Sequence, residues 1–161
     1  MQPNFNTLFT AMPDDSRVWL YLADRPLSEE EETWFNNELA LFLASWTAHN
    51  KKLKCDGKVL FSQYVVLAVN EWSEKASGCS IDASTHFMKK AGMALNIDFF
   101  NRLFVLQAEN GNWLRVPYAN VKNGSYLSPF VENLGDLKKQ WFQSLKKLSI
   151  KKGALAPFNR I

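Results

Sequence analysis

The run Tyr64-Val-Val-Leu-Ala-Val-Asn70 and the shorter Lys58-Val-Leu-Phe61, parted only by Ser62-Gln63, place two adjacent strands mid-chain. Two apolar, β-branched segments so close together predict an antiparallel hairpin, although their turn lacks glycine. Every other element must be arranged around that pair.

Upstream, Arg17-Val-Trp-Leu-Tyr-Leu-Ala23 is rich in strand formers and stops at the turn-like Asp24-Arg25-Pro26, which predicts a first strand. Ser28 is followed three residues later by Glu31, with Glu29, Glu30 and Glu32 around it. This is a capping box, with acids at the positive end of a helix dipole. Phe35, Leu39, Phe42 and Trp46 then recur at helical spacing, which turns Asn36 and Asn37 outward.

Downstream, the small polar stretch Ala76-Ser-Gly-Cys-Ser-Ile-Asp82 leads into a second helix reaching about Leu95, with Ser80 or Asp82 expected as N-cap. Leu103-Phe-Val-Leu106 reads as a fourth strand that returns through Asn110-Gly111 into Trp113-Leu-Arg-Val116. Leu134, Leu137, Trp141, Leu145 and Leu148 trace a last amphipathic helix. The order β-α-β-β-α-β, with an added hairpin strand and helix, is that of a ferredoxin-like α+β sheet with both helices on one face. A differently ordered α+β sheet is the alternative.

The 161 residues, 47% of them hydrophobic, suit one core and hence one domain, with residues 1–16 and 150–161 irregular. No basic stretch followed by an apolar one opens the sequence, and no run is long enough to cross a bilayer. Cys55 and Cys79 are the only cysteines, too few for a disulfide framework, so a reducing, cytoplasmic setting is expected. The net charge of +3 is concentrated late, in Lys138, Lys139, Lys146, Lys147, Lys151, Lys152 and Arg160. Such a segment is most simply a solvated face.

If the ferredoxin-like order holds, the Trp46-Thr-Ala-His49 loop, the approach to Arg17 and the 77–82 loop share one edge, while Asp24, Arg25 and Arg102 fall at the other. The first edge is chemically richer. Cys79 would sit just before a helix N-terminus, where free amides and the dipole favour an anion, either a thiolate or a bound ligand. Ser77, Gly78, Ser80 and Asp82 would shape that loop, His49 would take the thiol proton, and Arg17 would hold a negatively charged group.

Blander roles compete at each position: a buried structural thiol, a turn and cap, or a surface pair of Arg17 with Asp14 or Asp15. His49, Cys55, Cys79 and His86 lack the close ligand pairs of a zinc site, and His86 suits a helix-surface pairing with Asp82. Trp19 and Tyr21 alternate as RNA-stacking residues do, but the basic-glycine-aromatic signature is missing and core packing explains them better.

Val18-Trp-Leu-Tyr-Leu-Ala-Asp-Arg25, Trp46-Thr-Ala-His49, Ala76-Ser-Gly-Cys-Ser-Ile-Asp82 and Phe100-Asn-Arg-Leu103 together resemble an uncharacterised family of small bacterial proteins, frequent in Bacteroidetes. Many of its members carry the label "ABC transporter ATPase". That label carries no activity to this chain, because a phosphate-cradling loop needs Gly-x-x-x-x-Gly-Lys-Ser/Thr and Gly57-Lys58 lacks both the earlier glycine and the hydroxyl. Two functions therefore stand as expectations. One is a small-ligand or anion-binding domain at the His49/Cys79 edge, with thiol catalysis as its stronger form. The other is a non-enzymatic module that meets protein, nucleic acid or membrane through the basic C-terminal helix. Neither a cofactor, a metal nor an oligomeric state is specified.

Overall fold

The computed structural model describes residues 7–110, 112–121, 126–127 and 130–139. In chain order its elements are β1 (Arg17–Leu22), α1 (Glu29–Ser45), β2 (Thr47–Ala48), β3 (Lys51–Lys52), β4 (Lys54–Leu60) and β5 (Tyr64–Asn70). There follow α2 (Gly78–Leu95), β6 (Phe104–Glu109), β7 (Asn112–Pro117), β8 (Tyr126–Leu127) and α3 (Leu134–Lys139). The architecture is α+β, with three antiparallel sheets ordered β1-β5-β4, β2-β3 and β7-β6-β8.

β5 is the centre of the main sheet, paired with β1 on one edge and β4 on the other. Every residue from Tyr64 to Val69 is fully buried. Alternation sends Val65 and Leu67 to one face, where they pack with Tyr21 of β1, Phe35 and Leu39 of α1, and Met88 of α2. Tyr64, Val66 and Ala68 go to the other face, against Leu106 of β6, Leu127 of β8, and Leu134 and Leu137 of α3. A strand covered on both faces has no solvent side, which is why its sequence is a continuous apolar run and not an alternation.

Both main helices lie on one face, as expected. α1 approaches so closely that a Cβ on Gly57 of β4 would lie 3.1 Å from Leu67 Cδ2 and 3.2 Å from Leu43 Cδ1. The β4–β5 turn needs Phe61 and Ser62 at φ values of 55° and 58°, the left-handed pair usual in primed hairpin turns. Tertiary contacts replace glycine there: the Phe61 ring lies 4.6 Å from that of Trp113, and Ser62 Oγ donates to Glu32 Oε2 at 3.0 Å.

The first strand, the Ser28/Glu31 capping box and the end of the second helix at Leu95 stand where the sequence places them. The fourth strand does not join the main sheet: β6 pairs with β7 and β8 instead. β4 also begins at Lys54, so Cys55 belongs to a strand and not to a loop leading into one. In the last helix, Leu134 and Leu137 are buried; Trp141, Leu145 and Leu148 lie outside the described residues.

Arg25 ties the two main helices together at their ends. Its guanidinium donates to both Glu31 carboxylate oxygens at 2.8 Å and to the Leu95 carbonyl at 2.7 Å. Arg25 and the Ser28 amide hold the Glu31 carboxyl down at a pKa of about 2. A carboxyl depressed in the folded state stabilises it above the unfolded pKa, here 4.5, and loses that contribution as pH falls toward 2. Urea midpoints measured from pH 6 to pH 2 should therefore fall less steeply over this window in Glu31→Gln, which keeps a capping-box side chain but no titratable charge. An unchanged slope would show that the Arg25–Glu31 pair contributes nothing to acid stability.

Candidate functional site

The segment after α1 is not the loop that the sequence suggests. Ala48 pairs with Lys51, leaving His49 and Asn50 as a two-residue turn with φ values of 52° and 65°. These are type I′ angles; Asn and His tolerate them better than most residues other than glycine. His49 is thus the tip of a tight β2–β3 hairpin.

Trp46 fixes this hairpin to the body of the protein. It ends α1 in an extended conformation, is 2% exposed, and donates its indole N–H to the Ser80 carbonyl in the first turn of α2 at 2.8 Å. Its ring meets Trp19 at 5.7 Å edge-on and Phe42 at 5.1 Å. Trp19 faces α1 and its neighbours and Tyr21 meets Phe100 at 5.6 Å, so both aromatics of β1 are core packing on the helix-covered face.

α2 begins one turn earlier than expected. Its N-cap is Ser77, whose Oγ accepts from the Ser80 amide at 3.2 Å, while Ser80 Oγ accepts from the Ser77 amide at 2.6 Å. The two hydroxyls complete a capping box in which serine takes the place usually held by Glu or Gln. Neither Ser80 nor Asp82 is the cap, and Cys79 lies within the first turn, not before it. Ser80 is buried with its hydroxyl committed to the cap.

Between the hairpin and α2 lies a cleft of about 640 Å³. His49, Ser77 and Cys79 line it together, so three of the residues singled out by sequence converge although Cys79 lies 30 positions beyond His49 in the chain. Gly78, Ser80 and Asp82 are not among its lining residues. Arg17 belongs to a different cleft, with Arg102 beside it, so these two arginines do not fall at opposite ends of the sheet.

Sequence reasoning missed His86 and Lys90. Cys79, Ala83, His86 and Lys90 are spaced by four, three and four, which puts them on one side of α2 along about 16 Å of helix. All line the cleft, and His86 makes no hydrogen bond to Asp82. The spacing was legible; what could not be read was that the hairpin would stand opposite it. Phe42 and Phe87, with ring centroids 4.8 Å apart, form an apolar floor.

The walls carry Lys90 and two imidazoles, and among the described residues no carboxylate lines the cleft. Cys79 is exposed, and no hydrogen bond joins it to His49. Cys55 differs: it is half-buried, donates to the Leu43 carbonyl at 3.3 Å and accepts from Lys52 Nζ at 3.4 Å, and burial pushes its thiol pKa up. Among the described residues, no group of three His, Cys, Asp or Glu side chains is placed to hold a metal ion.

No family model, curated protein or solved structure matches this chain.

The cap and its neighbour give opposite expectations. Ser77→Ala removes the Ser80 amide's acceptor and should lower stability by about 1 kcal/mol. Gly78 needs no left-handed backbone, and a Cβ there would meet nothing within 4 Å. Gly78→Ala should therefore raise stability by about 0.5–1 kcal/mol through the lower conformational entropy of the unfolded chain. Denaturant titration of both variants checks this, and a loss on Gly78→Ala would mean that the first turn of α2 is built differently.

Proposed function

We propose that this protein binds a small anionic ligand in the cleft between the β2–β3 hairpin and α2. The observation that carries the reading is the convergence of His49, His86 and Lys90 around an apolar floor without a carboxylate among the lining residues. A lysine ammonium and imidazole N–H donors facing a partly apolar cleft favour a ligand with an anionic end and a flat or greasy body, because each part then finds its complement. Ser77 and Cys79 border the same space from the first turn of α2, whose positive end adds to the attraction.

Binding is favoured over thiol catalysis. A cysteine nucleophile needs a base within hydrogen-bond reach, and no such bond links Cys79 to His49. The ferredoxin-like reading is kept for the β1-α1-β4-β5-α2 portion, whose sheet order β1-β5-β4 supports it. The two free thiols support a reducing, cytoplasmic setting. Membership of the Bacteroidetes-type family stays part of the same proposal, resting on the 76–82 motif. No helix among the described residues is long and apolar enough to cross a membrane.

Alkylation of Cys79 by iodoacetamide, followed by mass spectrometry, reports occupancy of the cleft directly. Phenyl phosphate and benzoate should slow it saturably, neutral benzamide should not, and Cys55 should serve as the internal control. Lys90→Ala should weaken protection about tenfold, the loss of one charge-assisted contact. The proposal fails if neither anion protects Cys79 at tens of millimolar. In the unliganded protein His49→Ala should leave the alkylation rate of Cys79 unchanged, and a tenfold fall would restore the thiol–imidazole pair.

A further inference from the structure

A second cleft, of about 560 Å³, is lined from β1 and from the segment leading into α3, and it shares no lining residue with the cleft beside α2. The Val18 amide donates to the Glu132 carbonyl at 3.0 Å and the Leu134 amide to the Ser16 carbonyl at 2.9 Å, which fastens these two walls together. Arg17 and Arg102 line the space, and so do Asp15, Glu71 and Glu132. None of these five charged side chains forms an ion pair with another: the ion pairs among the described residues are Arg25–Glu31, Lys51–Glu74 and Lys138–Asp14. Opposite charges that share a cleft without meeting leave a gap that a ligand carrying both charges can span.

Neutral groups hold most of these charges in place. The Arg17 guanidinium lies over the Trp19 ring at 4.9 Å and that of Arg102 over the Phe130 ring at 5.9 Å. The Asp15 carboxylate accepts the Trp72 indole N–H at 3.0 Å, and the Glu71 carboxylate accepts the Ala76 amide at 2.8 Å. A ring beneath a guanidinium restrains it and leaves its N–H edge to bond a carboxylate. A carboxylate that accepts one N–H group keeps further lone pairs for another donor. The charges are thus oriented without being cancelled, which leaves a ligand little ordering to impose.

We propose that this cleft binds a small zwitterion, an amino acid or a dipeptide, with its carboxylate on Arg17 and Arg102 and its ammonium among Asp15, Glu71 and Glu132. A simple anion would meet three carboxylates there, and a simple cation two guanidiniums. A ligand with one charge of each sign finds its opposite at both ends. A guanidinium offers a fork of donors to a carboxylate, and an ammonium has three N–H groups to distribute among acceptors. The half-buried Trp19 and Phe130 rings border the same space and suit an apolar side chain on the ligand.

The test titrates the full chain, followed by NMR, with free leucine and with the dipeptide alanylleucine, each compared with its N-acetylated and its C-amidated form. At least one of the two zwitterions should bind saturably and shift the Trp19 indole signal, and the tighter of them names the source of the ligand. Blocking either end should weaken that ligand at least tenfold, as should Arg17→Gln and Glu132→Gln, since each removes one charge-assisted contact. The comparison of blocked and free ligands is made on the wild-type protein, so it stands even if a variant does not fold. The proposal is overturned if neither zwitterion saturates at tens of millimolar, if a blocked form binds as tightly as its parent, or if binding shifts His49 and Lys90 and leaves the Trp19 indole unmoved.

Discussion

Everything in this protein depends on β5 having no exposed side. Helices α1 and α2 must cover one face and the β6–β8 layer with α3 the other, because six successive residues of the strand are fully buried. Leaving even one such aliphatic side chain in water forfeits about 1.5–3 kcal/mol, a large share of a small domain's net stability. With both edges of β5 already paired, the remaining hydrogen-bonding capacity of the sheet falls to its outer strands. The hairpin cleft lies beside this sheet, where the first turn of α2 meets Trp46.

The two clefts divide the site residues that the sequence grouped together. Cys79 and His49 are held near each other where the buried Trp46 indole donates to the Ser80 carbonyl and fastens the hairpin to the first turn of α2. Arg17 is carried away from them by the direction of β1 and lines a separate cleft that Arg102 also lines.

Local chemistry made part of this legible. The capping box at Ser28 and Glu31, the span of β5 and the burial of Phe35 and Leu39 all arise from nearest-neighbour rules and were readable. Long-range choices were not. The Asn110-Gly111 dipeptide announced the pairing of Leu103–Leu106 with Trp113–Val116, but nothing said that the other side of that strand would take Tyr126–Leu127 in preference to β1, because both pairings satisfy the same apolar pattern. β2, β3 and β8 are two residues long, too short for any periodicity to register. The His49-Asn50 turn carries no glycine, and the cap at Ser77 uses serine where glutamate is usual, so neither announced itself. His86 and Lys90 were visible as a helix stripe and lacked only the opposite wall.

Because the buried Trp46 indole bonds the Ser80 carbonyl, the cleft is a preformed part of the folded core and not a loop that closes on demand. Native-state hydrogen exchange tests it by comparing the Trp46 indole proton with the amides of Val66, Leu67 and Ala68. Groups that open only when the whole domain unfolds share one limiting free energy of exchange. The Trp46 indole proton should exchange at that same limit as the β5 amides. A Trp46 proton exchanging with a free energy several kcal/mol lower would show the hairpin detaching from α2 by itself, and the cleft would then not be preformed.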